Sequence, residues 1–224
     1  MSPVDLRIVD TAEEAGEAAA QLIAEAAGAG GHIGVSGGSG PRPAYERAGI
    51  LRPDWGAVEL WWIDERCVPP ADDRSNYRVV RESLLDGLAR PPGEVHRIRG
   101  ELEPEAAAAE YDAALQGVDL DLAVMGIGPD GHTASLFPNA PTLDEAERRA
   151  VTAEAGMEPF VTRVTMTVPA LAAARTMLYL VTGEAKAEAV GRTFSDGPAP
   201  ATPASLVRGA ETIAVLDRAA AARL

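Results

Sequence analysis

Short apolar runs alternate with Ala/Glu-rich stretches along the whole chain. Leu122–Met125 (Leu-Ala-Val-Met) has no polar position, as expected of a strand buried on both faces of a parallel sheet. His32–Ser36, Val58–Ile63 with its Trp61-Trp62 pair, Thr176–Thr182 and Thr212–Leu216 read the same way, and Val95–Ile98 is a shorter candidate. Arg163–Val168 alternates polar and apolar positions, a period-two strand signal, and Arg148–Ala153 reads as extended. Helices are predicted over Thr11–Ala27, from about Pro43 to Ala48, from Ser75-Asn76 to about Leu85, over Glu103–Leu115, after Pro169, after Lys186 and over Arg218–Leu224. Thr11 and Glu14 have the spacing of a capping box, and Gly28, Gly30 and Gly31 end the first helix. Strand–helix alternation of this kind predicts an α/β protein with one mainly parallel sheet and helices on both faces. A chain of 224 residues without an internal repeat or linker fits one domain, 1–224.

Composition narrows the choice of partner. The chain is 46% hydrophobic and 24% charged, enough to build a core, and its net charge is −14. That field repels polyanions and argues against nucleic acid or an anionic membrane surface. An anionic small molecule would need a local cationic pocket, and Lys186 is the one lysine among 20 basic residues. Cys67 is the sole cysteine, so no internal disulfide forms. Met1–Asp10 lacks the apolar stretch of a signal peptide, and no window approaches a membrane span, so a soluble cytoplasmic protein is expected.

The chemistry gathers at predicted strand ends, where open α/β sheets bind ligands. After Leu122–Met125 the chain reads Gly-Ile-Gly-Pro-Asp-Gly-His, placing Asp130 two residues from His132 on a tight loop. An imidazole there can act as a general base near neutral pH, with the carboxylate orienting it. Ser36-Gly37-Gly38-Ser39-Gly40-Pro41, between a strand and a helix, is a candidate anion loop of backbone N–H groups and hydroxyls. Asp64-Glu65-Arg66 follows another strand as either site charge or a solvated loop; Lys186 follows a third, and Arg163 opens a strand that approaches from another side. One concave site would hold an anion through the glycine loop, Arg163 and Lys186, with His132 over the reacting atom. The chain has no Gly-Lys-Ser/Thr after its glycines, which argues against a nucleotide P-loop. His32, His96 and His132 show no close ligand spacing, so no metal site is expected.

These segments together resemble the 6-phosphogluconolactonases, in the superfamily shared with the glucosamine-6-phosphate isomerases. The resemblance rests on Ser36–Ser39, Asp64-Glu65-Arg66 with Val68-Pro69 and Ser75-Asn76-Tyr77, and Gly126–Pro138. It continues through Arg163-Val164-Thr165, Gly183–Lys186 and Pro203-Ala204-Ser205, nearly the whole chain. Gly40 departs from the threonine usual before the first proline of the glycine loop. The resemblance implies a modified Rossmann-like fold and a cytoplasmic hydrolase without metal or cofactor, monomeric or weakly associating. Its partner would be a small sugar-phosphate lactone, 6-phospho-D-glucono-1,5-lactone, opened to 6-phosphogluconate in the oxidative pentose phosphate pathway. His132 would be the base, with Asp130 positioning it and Arg66 assisting the oxyanion. Ser36, Gly37, Gly38, Ser39, Asp64, Arg163 and Lys186 would bind substrate. The deaminase/isomerase branch typically continues toward Asn-Glu-Pro after the histidine, whereas here Thr133–Pro138 reads Thr-Ala-Ser-Leu-Phe-Pro. A sugar-phosphate sensor would need a partner-binding module, for which there is neither spare length nor a basic segment.

Overall fold

The apolar runs become strands of one twisted layer. In the computed structural model, which describes residues 3–224, the chain begins with β1 (Val4–Val9), α1 (Ala12–Ala29), β2 (Gly31–Val35), α2 (Arg42–Leu51) and β3 (Val58–Trp62). It continues through β4 (Asp64–Arg66), α3 (Asn76–Ser83), β5 (Glu94–His96), α4 (Pro104–Ala114) and β6 (Leu122–Met125). The remainder is β7 (Ala150–Ala153), β8 (Arg163–Met166), α5 (Val168–Ala172), β9 (Thr176–Val181), α6 (Ala187–Phe194) and β10 (Glu211–Asp217). The predicted capping box forms: Glu14 N–H donates to Thr11 Oγ1 (3.1 Å) and Thr11 N–H to the Glu14 carboxylate (3.2 Å).

Seven strands pair in the order β1-β10-β9-β6-β2-β3-β5, parallel throughout. The mainly parallel α/β reading is borne out. Neighbouring side chains of a strand point to opposite faces, so Trp61 and Trp62 show what covers each side. Trp61 meets Tyr111 of α4 (ring centroids 6.1 Å apart), and Trp62 meets Tyr77 of α3 (5.5 Å). Both tryptophans are buried within one continuous core.

Three features depart from the sequence reading. Val4–Val9, for which the sequence pattern predicts no strand, is an edge strand paired with β10 and largely exposed, so charges interrupt its apolar pattern. Arg218–Leu224, expected as a helix, closes as turns. Only Ala220 and Ala221 of its seven residues pack on the core, too small an apolar face to offset helix nucleation. Asp64–Arg66 is a strand rather than a solvated loop. It pairs antiparallel with β8, which pairs antiparallel with β7, making a second, three-stranded sheet.

The strand order reverses between β2 and β6: the chain extends from β2 to β3 and β5 on one side, and from β6 to β9, β10 and β1 on the other. The loops leaving β2 and β6 diverge there, and a crevice opens outside the carboxyl ends.

Candidate active site

The loop after β2 is anchored at its start. Ser36 Oγ donates to the Val124 carbonyl (2.8 Å), while Tyr45 Oη accepts from the Ser36 N–H (3.1 Å) and donates to its carbonyl (2.9 Å). The Ser36 hydroxyl, expected to be a donor toward an anion, is thus engaged in joining β2 to β6. The backbone is what the loop offers. Among the described residues nothing accepts a hydrogen bond from the N–H groups of Gly37, Gly38, Ser39 or Gly40. Behind them α2 starts at Arg42, with Pro41 before it supplying no side-chain cap, so the positive end of its dipole faces the crevice.

The loop after β6 builds an imidazole–carboxylate pair. Asp130 Oδ1 lies 2.6 Å from His132 Nδ1 and also accepts from the His132 N–H at 3.1 Å. Burial pushes the Asp130 carboxyl up, but the hydrogen bonds from the ring and backbone of His132 outweigh it and hold it at about 2. A carboxylate only accepts, so the Nδ1 proton is fixed toward Asp130 and Nε2 keeps the lone pair in the neutral ring. The pair closes only because residue 128 is glycine: a Cβ there would lie 2.0 Å from Nδ1 and 2.7 Å from Asp130 Oδ1. Gly131, at φ +96°, turns the chain between the two side chains. Thr133 Oγ1 donates to the Gly126 carbonyl (2.8 Å), closing the loop across its base.

The small antiparallel sheet delivers the cations. Its register sets Arg66 directly opposite Arg163, a like-charge pairing that sheets ordinarily avoid. Arg163 is 2% exposed, and burial followed by the neighbouring Arg66 charge lowers its pKa, with Asp64 partly opposing them. Arg66 donates through Nη1 to the Arg74 carbonyl (2.7 Å), and Arg163 through Nη2 to the Met157 and Pro159 carbonyls (3.2 and 3.3 Å). The Nε of each arginine is buried without a partner among the described residues. The desolvated Arg163 guanidinium, with a buried and unpartnered Nε on each arginine, favours an arriving anion.

Asp64 is the buried junction between the two sheets. It accepts from Ser135 Oγ (2.5 Å) and Asn76 Nδ2 (2.9 Å). Ser135 is thereby used up and does not reach His132. Glu65 faces away and caps α3, accepting from the N–H groups of Arg66, Asn76 and Tyr77 and from Ser75 Oγ. Its burial pushes the carboxyl up to about 7, against those donors. Cys67 packs on the core, and burial followed by Glu65 raises its thiol to about 11, leaving it protonated at neutral pH.

Ser36, Gly37, Gly38, Ser39, Asp64, Arg66, His132, Arg163 and Lys186 all line one cavity of about 400 Å³, and Asp130 joins it through His132. Lys186 is half-buried there; burial lowers its pKa while the Asp130 charge pulls it back up. Asn76 and Ala134 belong to segments that carry the resemblance, but the sequence assigns a site role to none of Asn76, Ala134, Met157 and Glu158, which share the lining. Asn76 looked like a helix start, and the segment of Met157 and Glu158 carries no motif. Ala134 at φ +51° was the least legible, since alanine gives no hint of a left-handed backbone. Among the described residues, one group, Glu59, Glu94 and His96, has the spacing to hold a metal ion, and none of the three lines this cavity.

The profile of the family described as glucosamine-6-phosphate isomerases/6-phosphogluconolactonase matches residues 7–215. The chain is 37% identical to the human 6-phosphogluconolactonase over 226 residues, covering 92% of this chain and 88% of the relative. Its structure superposes on the crystal structure of 6-phosphogluconolactonase from Thermotoga maritima with TM-score 0.82 and 28% identity, over 96% of this chain and 99% of that one. A monomeric glucosamine-6-phosphate deaminase shares the fold at TM-score 0.88 but only 19% identity, covering 99% and 100% of the two chains.

Proposed function

The chain belongs to the glucosamine-6-phosphate isomerase/6-phosphogluconolactonase family, and from that premise we propose that it hydrolyses 6-phospho-D-glucono-1,5-lactone to 6-phosphogluconate in the oxidative pentose phosphate pathway. The observation that carries the reading is the 2.6 Å His132–Asp130 pair facing a cavity that also holds Arg66, Arg163 and Lys186. Residues 1–224 act as one lactonase domain. No helix among the described residues is long and apolar enough to cross a membrane, in keeping with a cytoplasmic enzyme acting on a small sugar phosphate.

In this mechanism the phosphate sits against Lys186, Arg163 and the N–H groups of the glycine loop. Lysine supplies a point charge and arginine a two-pronged donor. His132 Nε2 takes a proton from water, Asp130 holds the imidazolium that forms, and the hydroxide adds to the lactone carbonyl. The tetrahedral oxyanion is met by loop N–H groups and Arg66; a donor of that kind is worth about 3–4 kcal/mol in the transition state. As the carbonyl re-forms, the ring C–O bond breaks and His132 returns its proton to the departing ring oxygen. The products are the carboxylate, a hydroxyl and one proton released to solvent. No step draws on a metal ion.

The isomerase branch of the family is less well supported by the residues. In place of the Asn-Glu typical of that branch, positions 133–136 supply Thr133, tied to Gly126, and Ser135, tied to Asp64. The decisive assay follows freshly generated 6-phosphogluconolactone with EDTA present and spontaneous hydrolysis subtracted, beside glucosamine 6-phosphate. Lactone opening that EDTA spares and His132→Ala removes supports the proposal. Turnover of the amino sugar alone, or tight 6-phosphogluconate binding without catalysis, overturns it.

A further inference from the structure

At the amino end of the parallel sheet, far from the cavity, three strands place a second set of titratable groups in one row. The register aligns His32 of β2 with Glu59 of β3, Glu59 with Glu94 of β5, and Trp61 with His96. Residues in register, or two apart on one strand, share a face, so all five side chains stand together. His96 Nε2 is 3.0 Å from Glu59 Oε2 and 3.4 Å from Glu94 Oε2, and one ligand atom from each of the three residues lies within 4.8 Å of the others. His32 lies four residues before Ser36 and Glu59 five before Asp64, so about 13–17 Å of strand separates this cluster from the catalytic end.

Two features set the cluster apart from an ordinary surface ion pair. Among the described residues no arginine or lysine comes within 4.0 Å of either carboxylate; their close nitrogen neighbours are the rings of His32 and His96. The imidazole is also held in place. Trp61 stacks on His96 with centroids 3.8 Å apart and planes at 14°, and Trp61 Nε1 donates to His32 Nδ1 (3.1 Å). Because that Nδ1 accepts from Trp61, His32 is a neighbour of the cluster and His96 its nitrogen ligand. An ion bound tetrahedrally with bonds of about 2.0–2.1 Å has ligand atoms about 3.3 Å apart. The His96–Glu59 and His96–Glu94 separations fall on either side of that spacing.

We propose that Glu59, Glu94 and His96 form a divalent transition-metal site of the Zn²⁺ class that ties the edge strand β5 to β3. One imidazole and two carboxylates suit Zn²⁺ or its neighbours in the first row, whereas Ca²⁺ takes six to eight oxygens. β5 is three residues long at the sheet edge, and an ion across β3 and β5 supplies a link its few ladder hydrogen bonds do not. The site is separate from the hydrolytic cavity, and the lactonase mechanism neither needs it nor excludes it.

The test titrates EDTA-stripped, dialysed protein with ZnCl₂ at pH 7 by calorimetry, and with CoCl₂ for the visible absorbance of a low-coordinate Co²⁺ site. Wild type and His132→Ala should each bind one ion per chain. Glu59→Gln and Glu94→Gln, both isosteric, the first at a half-buried and the second at an exposed position, should bind at least tenfold more weakly. Zn²⁺ should raise Tm in wild type and not in the two glutamine variants, because an ion held only by the folded state stabilises it. No binding up to millimolar Zn²⁺, binding unchanged by both substitutions, or binding lost in His132→Ala instead would each overturn the proposal.

Discussion

The same sheet carries two imidazole–carboxylate pairs: His132 with Asp130 beyond the carboxyl end of β6, and His96 with Glu59 near the amino end of β3. Their contact distances are similar, 2.6 and 3.0 Å. Their settings are not. His132 is enclosed by a glycine loop, with the Phe137 ring 5.1 Å away and the Arg163 guanidinium 5.2 Å from the centre of that ring. His96 lies flat on Trp61 at the sheet edge with a second carboxylate beside it. The first pair faces a concave, cationic space and can move a proton to a bound molecule. The second faces solvent across negative charge, which suits holding a cation. Identical chemical groups diverge in use through what the fold arranges around them.

The largest effect expected is the contrast of two histidine substitutions in the lactone assay. His132→Ala should lower kcat by about 10²- to 10⁴-fold, the range of a positioned general base. His96→Gln should leave kcat within about twofold, and a comparable loss in both would erase the distinction. Next comes Arg163→Ala, which removes a desolvated cation from the anion subsite. Loss of a charge-assisted contact of about 1.5–3 kcal/mol corresponds to about 10- to 100-fold in kcat/KM, carried mainly by KM. Arg163→Lys should recover only part of it, since lysine lacks the planar fork.

Gly128→Ala probes enclosure itself. The new Cβ collides with the His132 ring and the Asp130 carboxylate, so the pair must open or the loop must shift, at about 1–3 kcal/mol of stability. Thermal melting and kcat should fall together in this variant, and unchanged values in both would show that the loop is slack. The smallest effect is a pH dependence. The folded-state pKa of Asp130, about 2, is below its unfolded value near 3.9, so its contribution is present above about pH 4. It is lost as pH falls through 2. Denaturant unfolding of Asp130→Asn between pH 4 and 2 should therefore show a shallower decline than wild type, and parallel curves would dissociate that carboxylate from stability.

The fold was legible because its signals are local. Leu122–Met125 carries no polar residue, and four other apolar runs are separated by helical stretches; such patterns leave a parallel α/β sheet as the compact arrangement. Thr11 and Glu14 announced a cap because both partners lie within one turn. The segments that failed were those whose state depends on a distant neighbour. Val4–Val9 becomes a strand only because β10 pairs with it, and Asp64-Glu65-Arg66 looks like solvated charge until β8 lies alongside.

The candidate site divides the same way. Asp130 and His132 are two residues apart, and the glycines around them advertise a tight loop, so that pair can be picked out of the sequence. That Ser36 spends its hydroxyl on Val124, that Asn76 enters the cavity, and that Glu59 meets His96 follow from strand register and from contacts spanning between 12 and 88 positions. By itself the sequence determined most of the element types, the sheet class and the residues of the His132 loop, because those rest on periodicity and on backbone freedom within a few residues. Only the tertiary structure decided which charges are desolvated, which hydroxyls are already engaged and which arginines face each other. Burial and hydrogen-bond partners are properties of the packed whole, and no single segment encodes them.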